Sequence, residues 1–210
     1  MTQATQSHRV GWATGTLFSF VVAAYAFAAV ALPHLRPRFA PFAQHLADVW
    51  HGIALMHFAG GGLALAVGAL QFSRWIRLHT PAVHRWLGRT YVIAVLVGGF
   101  AGMAMSTAAD GGIAGRLGFG VLAIVWLYTT VQAYFAIRQR EIDVHRAWMF
   151  RSFSLTFAAV TLRVYLPLAQ TAGVSFDVAY PIIAWACWVP NLFIAWRFAP
   201  FPVGNPPVTV

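Results

Sequence analysis

Two stretches, QFSRWIRLHTPAVHR (71–85) and QAYFAIRQREIDVHR (132–146), decide how this chain is built. Aligned at an offset of 61 without a gap, they agree at six of fifteen positions. Gln71 matches Gln132, Ile76 matches Ile137, Arg77 matches Arg138, and Val83-His84-Arg85 matches Val144-His145-Arg146. Each stretch joins two long apolar runs. Two like turns between like pairs of runs describe parallel helical hairpins, related by an axis along the membrane normal.

Working outward, the chain is 60% hydrophobic and only 9% charged, well outside the range of soluble globular domains. Six apolar segments appear, at about 11–33, 52–73, 86–109, 115–137, 147–170 and 178–199, each near the length of about 20 residues that crosses a bilayer. The expected fold is all-α: an integral membrane six-helix bundle forming a single transmembrane domain, 1–210. Its four-helix core, 52–170, consists of the two parallel helical-hairpin repeats, with one helix added at each end. The first run lacks a small-residue cleavage site behind it and reads as a retained helix. The proline-rich end (FAPFPVGNPPVTV) reads as a disordered tail over 200–210.

The formal charge is +9 and all fourteen basic residues are arginine. Ten of them (Arg9, Arg74, Arg77, Arg85, Arg89, Arg138, Arg140, Arg146, Arg151 and Arg197) fall on the side of the N-terminus. Arg36, Arg38 and Arg116 fall opposite. The excess places both termini in the cytoplasm of a bacterial inner membrane, and this loop placement argues against nucleic acid as the partner. A GC-rich genome accounts for arginine without lysine; so does a need for forked donors toward phosphate or carboxylate groups. A lone Cys187 excludes a disulfide framework. Hydrolase signatures are missing, and five acidic residues leave little for acid–base chemistry. Gly60, Ala64 and Gly68, with Gly98 and Gly102, form small-residue stripes that suit close helix contact or the face of a flat cofactor. Trp50, Trp75, Trp86, Trp148 and Trp196 fall near expected interfaces, where indoles anchor helices.

Thr80 and Asp143 stand where N-caps are expected, so His84 and His145 each fall in the first turn or so of a helix. If the two imidazoles converge, they suit a bound metal, haem b above all, as axial ligands from two helices. Arg85, Arg89, Arg146 and Arg151 would then meet the propionates, and a membrane quinone or redox protein would be the partner. Anchoring to lipid phosphates is the plainer alternative. Toward the other face lie His57 and, inside a span, Arg163, with Asp110 or Asp177 as the carboxylates on that side to pair it. A salt bridge with a packed histidine, an external ligand site and a second haem all stay open there. Gly118 stands where a repeat of His57 would be, and Met103 or Met105 is a substitute ligand. His34, His45, His51 and Asp48 match no metal-ligand spacing. A carrier or channel for a small anion or lipid, and an accessory subunit of a membrane complex, are the other functional classes.

MHFAGGGLALAVGALQF (56–72), HRWLGRTY (84–91) and HRAWMFRSFSLTFAAVTLRVYLPL (145–168) resemble an uncharacterised family of bacterial predicted multi-pass membrane proteins. The resemblance spans about 52–170 and is carried by His57, Gln71, His84, Arg85, Gly88, Arg89, His145, Arg146, Arg151 and Arg163. It implies a fold and no established activity. More distantly, histidines on adjacent helices of a small bundle are similar to the di-haem transmembrane cytochromes b. Those proteins use four histidines in two pairs; here His57, His84 and His145 stand in place, which implies one haem at most.

Overall fold

Apolar runs of this length cross lipid as helices because only a helix satisfies every backbone N–H and C=O within the segment. The computed structural model describes residues 14–26, 28 and 41–199, with the side chains of 41–51 outside the description. The helices are α1 (Thr14–Ala26), α2 (Pro41–Gln71), α3 (Arg74–His79), α4 (Pro81–Ser106), α5 (Gly112–Arg138), α6 (Ile142–Thr156), α7 (Ala158–Thr171), α8 (Phe176–Ala186) and α9 (Val189–Phe198). Five stretches are long and apolar enough to span a membrane: Gly52–Gln71, Pro81–Ser106, Gly112–Arg138, Ile142–Thr171 and Phe176–Phe198. The described part of the first expected segment, α1, is shorter than a span. The expected tail, 200–210, lies outside the described residues.

Two expected boundaries move. The apolar segments expected from 86 and 147 are extended back to Pro81 and Ile142, so each His-Arg pair lies in the first turn or so of its helix, as the expected caps implied. Pro81 at the first helical position explains the earlier start of α4: its ring pre-sets φ, and its missing N–H would be unpaired there anyway. The polar loop expected over 34–51 is helical from Pro41, since α2 runs unbroken for 31 residues. Extension of an existing helix adds one bond per residue without a new nucleus, so the polar stretch QHLADVWHG propagates from the apolar one.

The turns follow local chemistry. Ser73 caps α3, its Oγ accepting the Ile76 amide at 3.4 Å. α5 ends in a left-handed residue, Arg140 (φ 64°). The Glu141 amide reaches back to Ala136 O at 2.9 Å and the Arg140 amide to Ile137 O at 3.1 Å, which satisfies carbonyls that the helix end would orphan. Gly173 (φ 79°) closes α7 with the same pair of bonds. The fourth span bends at Phe157, between α6 and α7. There Ser154 Oγ and Thr156 Oγ1 donate to their own helix, to Arg151 O at 2.7 Å and Ser152 O at 3.0 Å, and such back-bonding bends helices.

α2 packs chiefly on α4, α5 on α6, and α4 on α5; α8 closes against α5 and α7, α9 against α6. α1 lies over α2 and α7, where Val22 and Ala23 meet Leu65 and Val160. The interior is made of Ala64, Tyr91, Ala94, Val95, Trp126 and Leu155 with their neighbours. Large apolar side chains such as Ile93, Phe100, Ile113, Leu117, Ile124 and Phe193 face outward. Small residues inside and large ones outside suit a lipid surround, in which close backbone approach rather than hydrophobic burial holds helices together.

Candidate functional site

α4 and α6 start in the same way. In each, histidine is the fourth helical residue, and its amide bonds the N-cap carbonyl: His84 N–H to Thr80 O at 3.1 Å, His145 N–H to Glu141 O at 2.8 Å. Glu141, not Asp143, is therefore the N-cap of α6. Asp143 sits in the first turn and takes Arg146 Nη1 at 2.9 Å. Thr80 caps α4 through its backbone alone, since its hydroxyl donates to Ile76 O at 3.1 Å.

Seven residues make two helical turns, within about 20°, so Tyr91 shares a face with His84 and Ser152 with His145. Tyr91 OH and Ser152 Oγ meet at 2.8 Å, and both residues are fully buried. His84 and His145 thus stand two turns from a contacting pair, each on the face of its helix that carries that contact.

The two imidazoles are held differently. His145 Nδ1–H donates to Ala133 O at 2.8 Å, which leaves Nε2 with the lone pair and fixes the ring as ligand histidines are commonly fixed. The corresponding carbonyl, twelve residues before His84, is Phe72 O, and there Arg77 Nη1 donates instead, at 3.1 Å. His84 Nδ1 is buried without a hydrogen-bond partner. Gln71 Nε2 donates to His84 O at 3.1 Å, tying the end of α2 to the first turn of α4.

Of the four arginines expected around this pair, Arg85 and Arg89 are exposed, with Arg89 over Trp86 at 5.0 Å. Arg146 is exposed and engaged by Asp143. Arg151 is fully buried, its Nη2 on Ala199 O at 2.7 Å and its guanidinium over the rings of Trp196 at 3.9 Å and Trp148 at 5.2 Å. It fastens the end of α9 to α6. Trp148 and Trp196, expected as membrane anchors, form its clamp.

Below the histidines lies a hydroxyl network that the sequence reading missed. Tyr91 OH also meets Thr156 Oγ1 at 2.8 Å, Ser152 Oγ meets Thr130 Oγ1 at 2.6 Å, and Trp126 Nε1 donates to Thr156 Oγ1 at 2.9 Å. Thr130 Oγ1 ends the chain on Trp126 O at 2.8 Å. These residues join α4, α5 and α6. The signal was there: Thr129-Thr130 and Ser152-Phe-Ser-Leu-Thr156 are hydroxyl clusters inside apolar spans. Tyr91→Phe is expected to cost about 1–2 kcal/mol, because it removes bonds whose partners stay buried. A thermal unfolding midpoint equal to wild type would show that the network contributes nothing.

At the other end, His57 Nδ1–H donates to Gly98 O at 2.8 Å, and Gly102 clears the space its ring occupies, with a Cβ there falling 2.8 Å from Nδ1. The expected carboxylate partner of Arg163 is not found. Arg163 Nη1 donates to Ala159 O at 2.9 Å, its guanidinium lies 5.1 Å from the centre of the Tyr25 ring, and the ion pair found among the described residues is Arg146–Asp143. Gly118, at the position matching His57, packs against Ala184.

The fit of a haem can be tested on this geometry. Among the described residues no group of three or more His, Cys, Asp or Glu could hold a metal ion. Two imidazoles are too few for a closed tetrahedral ion site but suffice for haem iron. By donor type two neutral imidazoles suit haem iron, whereas the small-residue stripes, expected to offer room for the macrocycle, are filled. A Cβ at Gly60 would stand 2.7 Å from Ala94 O and Gly98 N, one at Gly68 2.7 Å from the Phe153 ring, and Gly102 is filled by His57.

No curated protein and no solved structure matches the chain. The model of one family does, that described as predicted membrane protein (DUF2306), over residues 54–199. The match takes in the spans that carry His57, His84, His145 and Arg163. With most of its length covered and its helices as apolar as such a family requires, the chain belongs to the DUF2306 family of multi-pass membrane proteins.

Proposed function

We propose that this protein is a redox carrier of the bacterial inner membrane, with haem b bound between His84 and His145 at its arginine-rich, cytoplasmic end. The observation that carries the reading is the Tyr91–Ser152 contact at 2.8 Å, with a histidine two turns above each partner on the same helix face. Tyr91 and Ser152 are themselves 61 residues apart, the offset of the two histidines. Paired hairpins, α2–α4 and α5–α6, related by an axis running between Tyr91 and Ser152, account for both pairs at once.

When bound, haem supplies a one-electron couple that a membrane quinone or a redox protein can exchange with. The chain's own residues do the rest. Ala133 O holds the His145 ring through Nδ1–H and leaves the Nε2 lone pair for a ligand. Gln71 and the backbone cap at Thr80 fix the turn that carries His84. The Tyr91–Ser152–Thr130 hydroxyls set how far α4 and α6 stand apart. Arg85 and Arg89, one turn apart on the exposed side, offer forked donors to carboxylates.

The test is an absorption spectrum of the detergent-purified protein from cells supplied with haem precursor, oxidised and then reduced with dithionite. A Soret band that sharpens on reduction and disappears in both His84→Ala and His145→Ala is expected. A colourless protein that also fails to take up added hemin would overturn the reading.

A further inference from the structure

His84 and His145 match in sequence and in helix position but not in how their rings are held. Resting on the haem reading, we infer that His145 is the fixed ligand and His84 the exchangeable one, so that the reduced site admits a small neutral ligand on the α4 side.

The difference begins where the two hairpins turn. Gln71 and Gln132 occupy matching positions, but α2 ends at Gln71 whereas α5 runs on past Gln132 to Arg138. Ser73 caps the short α3 instead, taking the Ile76 amide at 3.4 Å. The carbonyl twelve residues before each histidine therefore has different surroundings. In the second hairpin it is Ala133 O, within α5, and it accepts His145 Nδ1–H at 2.8 Å. In the first it is Phe72 O, in the turn after α2, and Arg77 Nη1 holds it at 3.1 Å together with Gln71 O at 3.3 Å. Arg77 thus covers the carbonyls that end α2, and His84 Nδ1 stays buried without a partner. The bond from Gln71 Nε2, at 3.1 Å, goes to the backbone oxygen of His84 and not to its ring.

The tautomer turns this difference into a difference in ligation. A ring nitrogen binds iron through its lone pair. On His145 the proton already sits on Nδ1, so the Nε2 lone pair is ready, and the bond to Ala133 O raises its basicity. On His84 a proton at Nδ1 would be a buried donor with no acceptor, which is costlier than a buried lone pair. The neutral His84 ring therefore keeps its proton on Nε2. Ligation through Nε2 has to move that proton to Nδ1 and leave it unpaired, a cost that His145 does not carry.

Exchange breaks the bond to His84 Nε2 and forms one to the incoming donor atom. The imidazole proton returns from Nδ1 to Nε2, and no electron changes hands. Because the departing imidazole is neutral, a neutral newcomer leaves the charge of this half-buried site unchanged. It has to be small, since Tyr91, two turns below, is fully packed.

The test uses the full chain purified with its haem, reduced with dithionite and titrated with carbon monoxide. A Soret shift that saturates at a single carbon monoxide per haem is expected. His84→Gly and His145→Gly, each given free imidazole, identify the ligand that leaves. His84→Gly should regain the wild-type spectrum at an imidazole concentration at least about tenfold lower than His145→Gly requires, since only the latter has lost the preset ligand. Nitrogen NMR of the histidine rings in haem-free protein reads the cause itself, with the Nδ1–H tautomer expected on His145 and the Nε2–H tautomer on His84. A coloured protein that takes up no carbon monoxide, equal recovery of the two glycine variants, or one tautomer shared by both rings would overturn this inference and leave the haem reading standing. A protein that binds no haem overturns both.

Discussion

Gly60→Leu is expected to leave little or no folded protein, while Gly61→Leu, one residue along, is expected to behave as wild type. The two glycines differ in what surrounds them. A Cβ at Gly60 would stand 2.7 Å from Ala94 O and Gly98 N and 2.9 Å from Gly98 Cα, whereas nothing lies within 4 Å of a Cβ at Gly61. The obstruction at Gly60 is backbone, which has no rotamer to escape into. A leucine would drive α2 off α4 and break the contacts of Ala64 and Ala94 above it, in the interior cluster. In lipid, where no hydrophobic effect pulls helices together, that close approach is itself the source of stability. Forcing a side chain into a filled interface costs about 3 kcal/mol or more, enough to remove most of a marginal stability. The yield of monodisperse protein and its unfolding midpoint are the measurements. Equal behaviour of the two variants would show that α2 and α4 do not touch at Gly60.

Arg151→Ala is expected to release the last helix. Arg151 is the largest fully buried side chain among the described residues, and it joins α6 to the end of α9 through Ala199 O and Trp196. A charged hydrogen bond contributes about 1.5–3 kcal/mol and each desolvated cation–π contact about 1–2 kcal/mol. The combined loss, roughly 4 kcal/mol before any cavity cost, should lower the unfolding midpoint by about 10 °C. Arg151→Lys should recover part of it at most, because an ammonium neither stacks on two indoles nor keeps the planar fork. Trypsin should cut at Arg197 faster in the alanine variant. An unchanged midpoint together with unchanged cleavage would show that α9 is held by its apolar contacts alone.

Arg151 also shows why one arginine can be read two ways. In the sequence it stands six residues after His145, beside Trp148, as suited to a propionate as to a structural clamp. What separates the readings is Trp196, 45 residues further on, and no local pattern connects them. Arg163 failed in the converse way. Asp110 and Asp177 share its expected side of the membrane, but sharing a side does not bring groups into contact, and the guanidinium turns back to its own helix at Ala159 O. Met103 and Met105 were weighed as ligands beside His57, while the group that meets its ring is Gly102. Apolar character begins only at Trp86 and Ala147, whereas the helices begin at their caps, Thr80 as the sequence implies and Glu141 two residues before the expected Asp143.

Composition and run length alone place the chain in a membrane as a set of helices, because each apolar residue adds its transfer free energy independently of its neighbours. The matched turns at 71–85 and 132–146 carried one thing more, the equal depth of His84 and His145 in their helices. Rotation of each helix about its own axis, and the angle at which two helices cross, are collective quantities set by packing. Only the tertiary structure could therefore bring Tyr91 to Ser152, close Gly60 on Gly98, set Arg151 against the rings of two tryptophans and leave His84 Nδ1 without a partner.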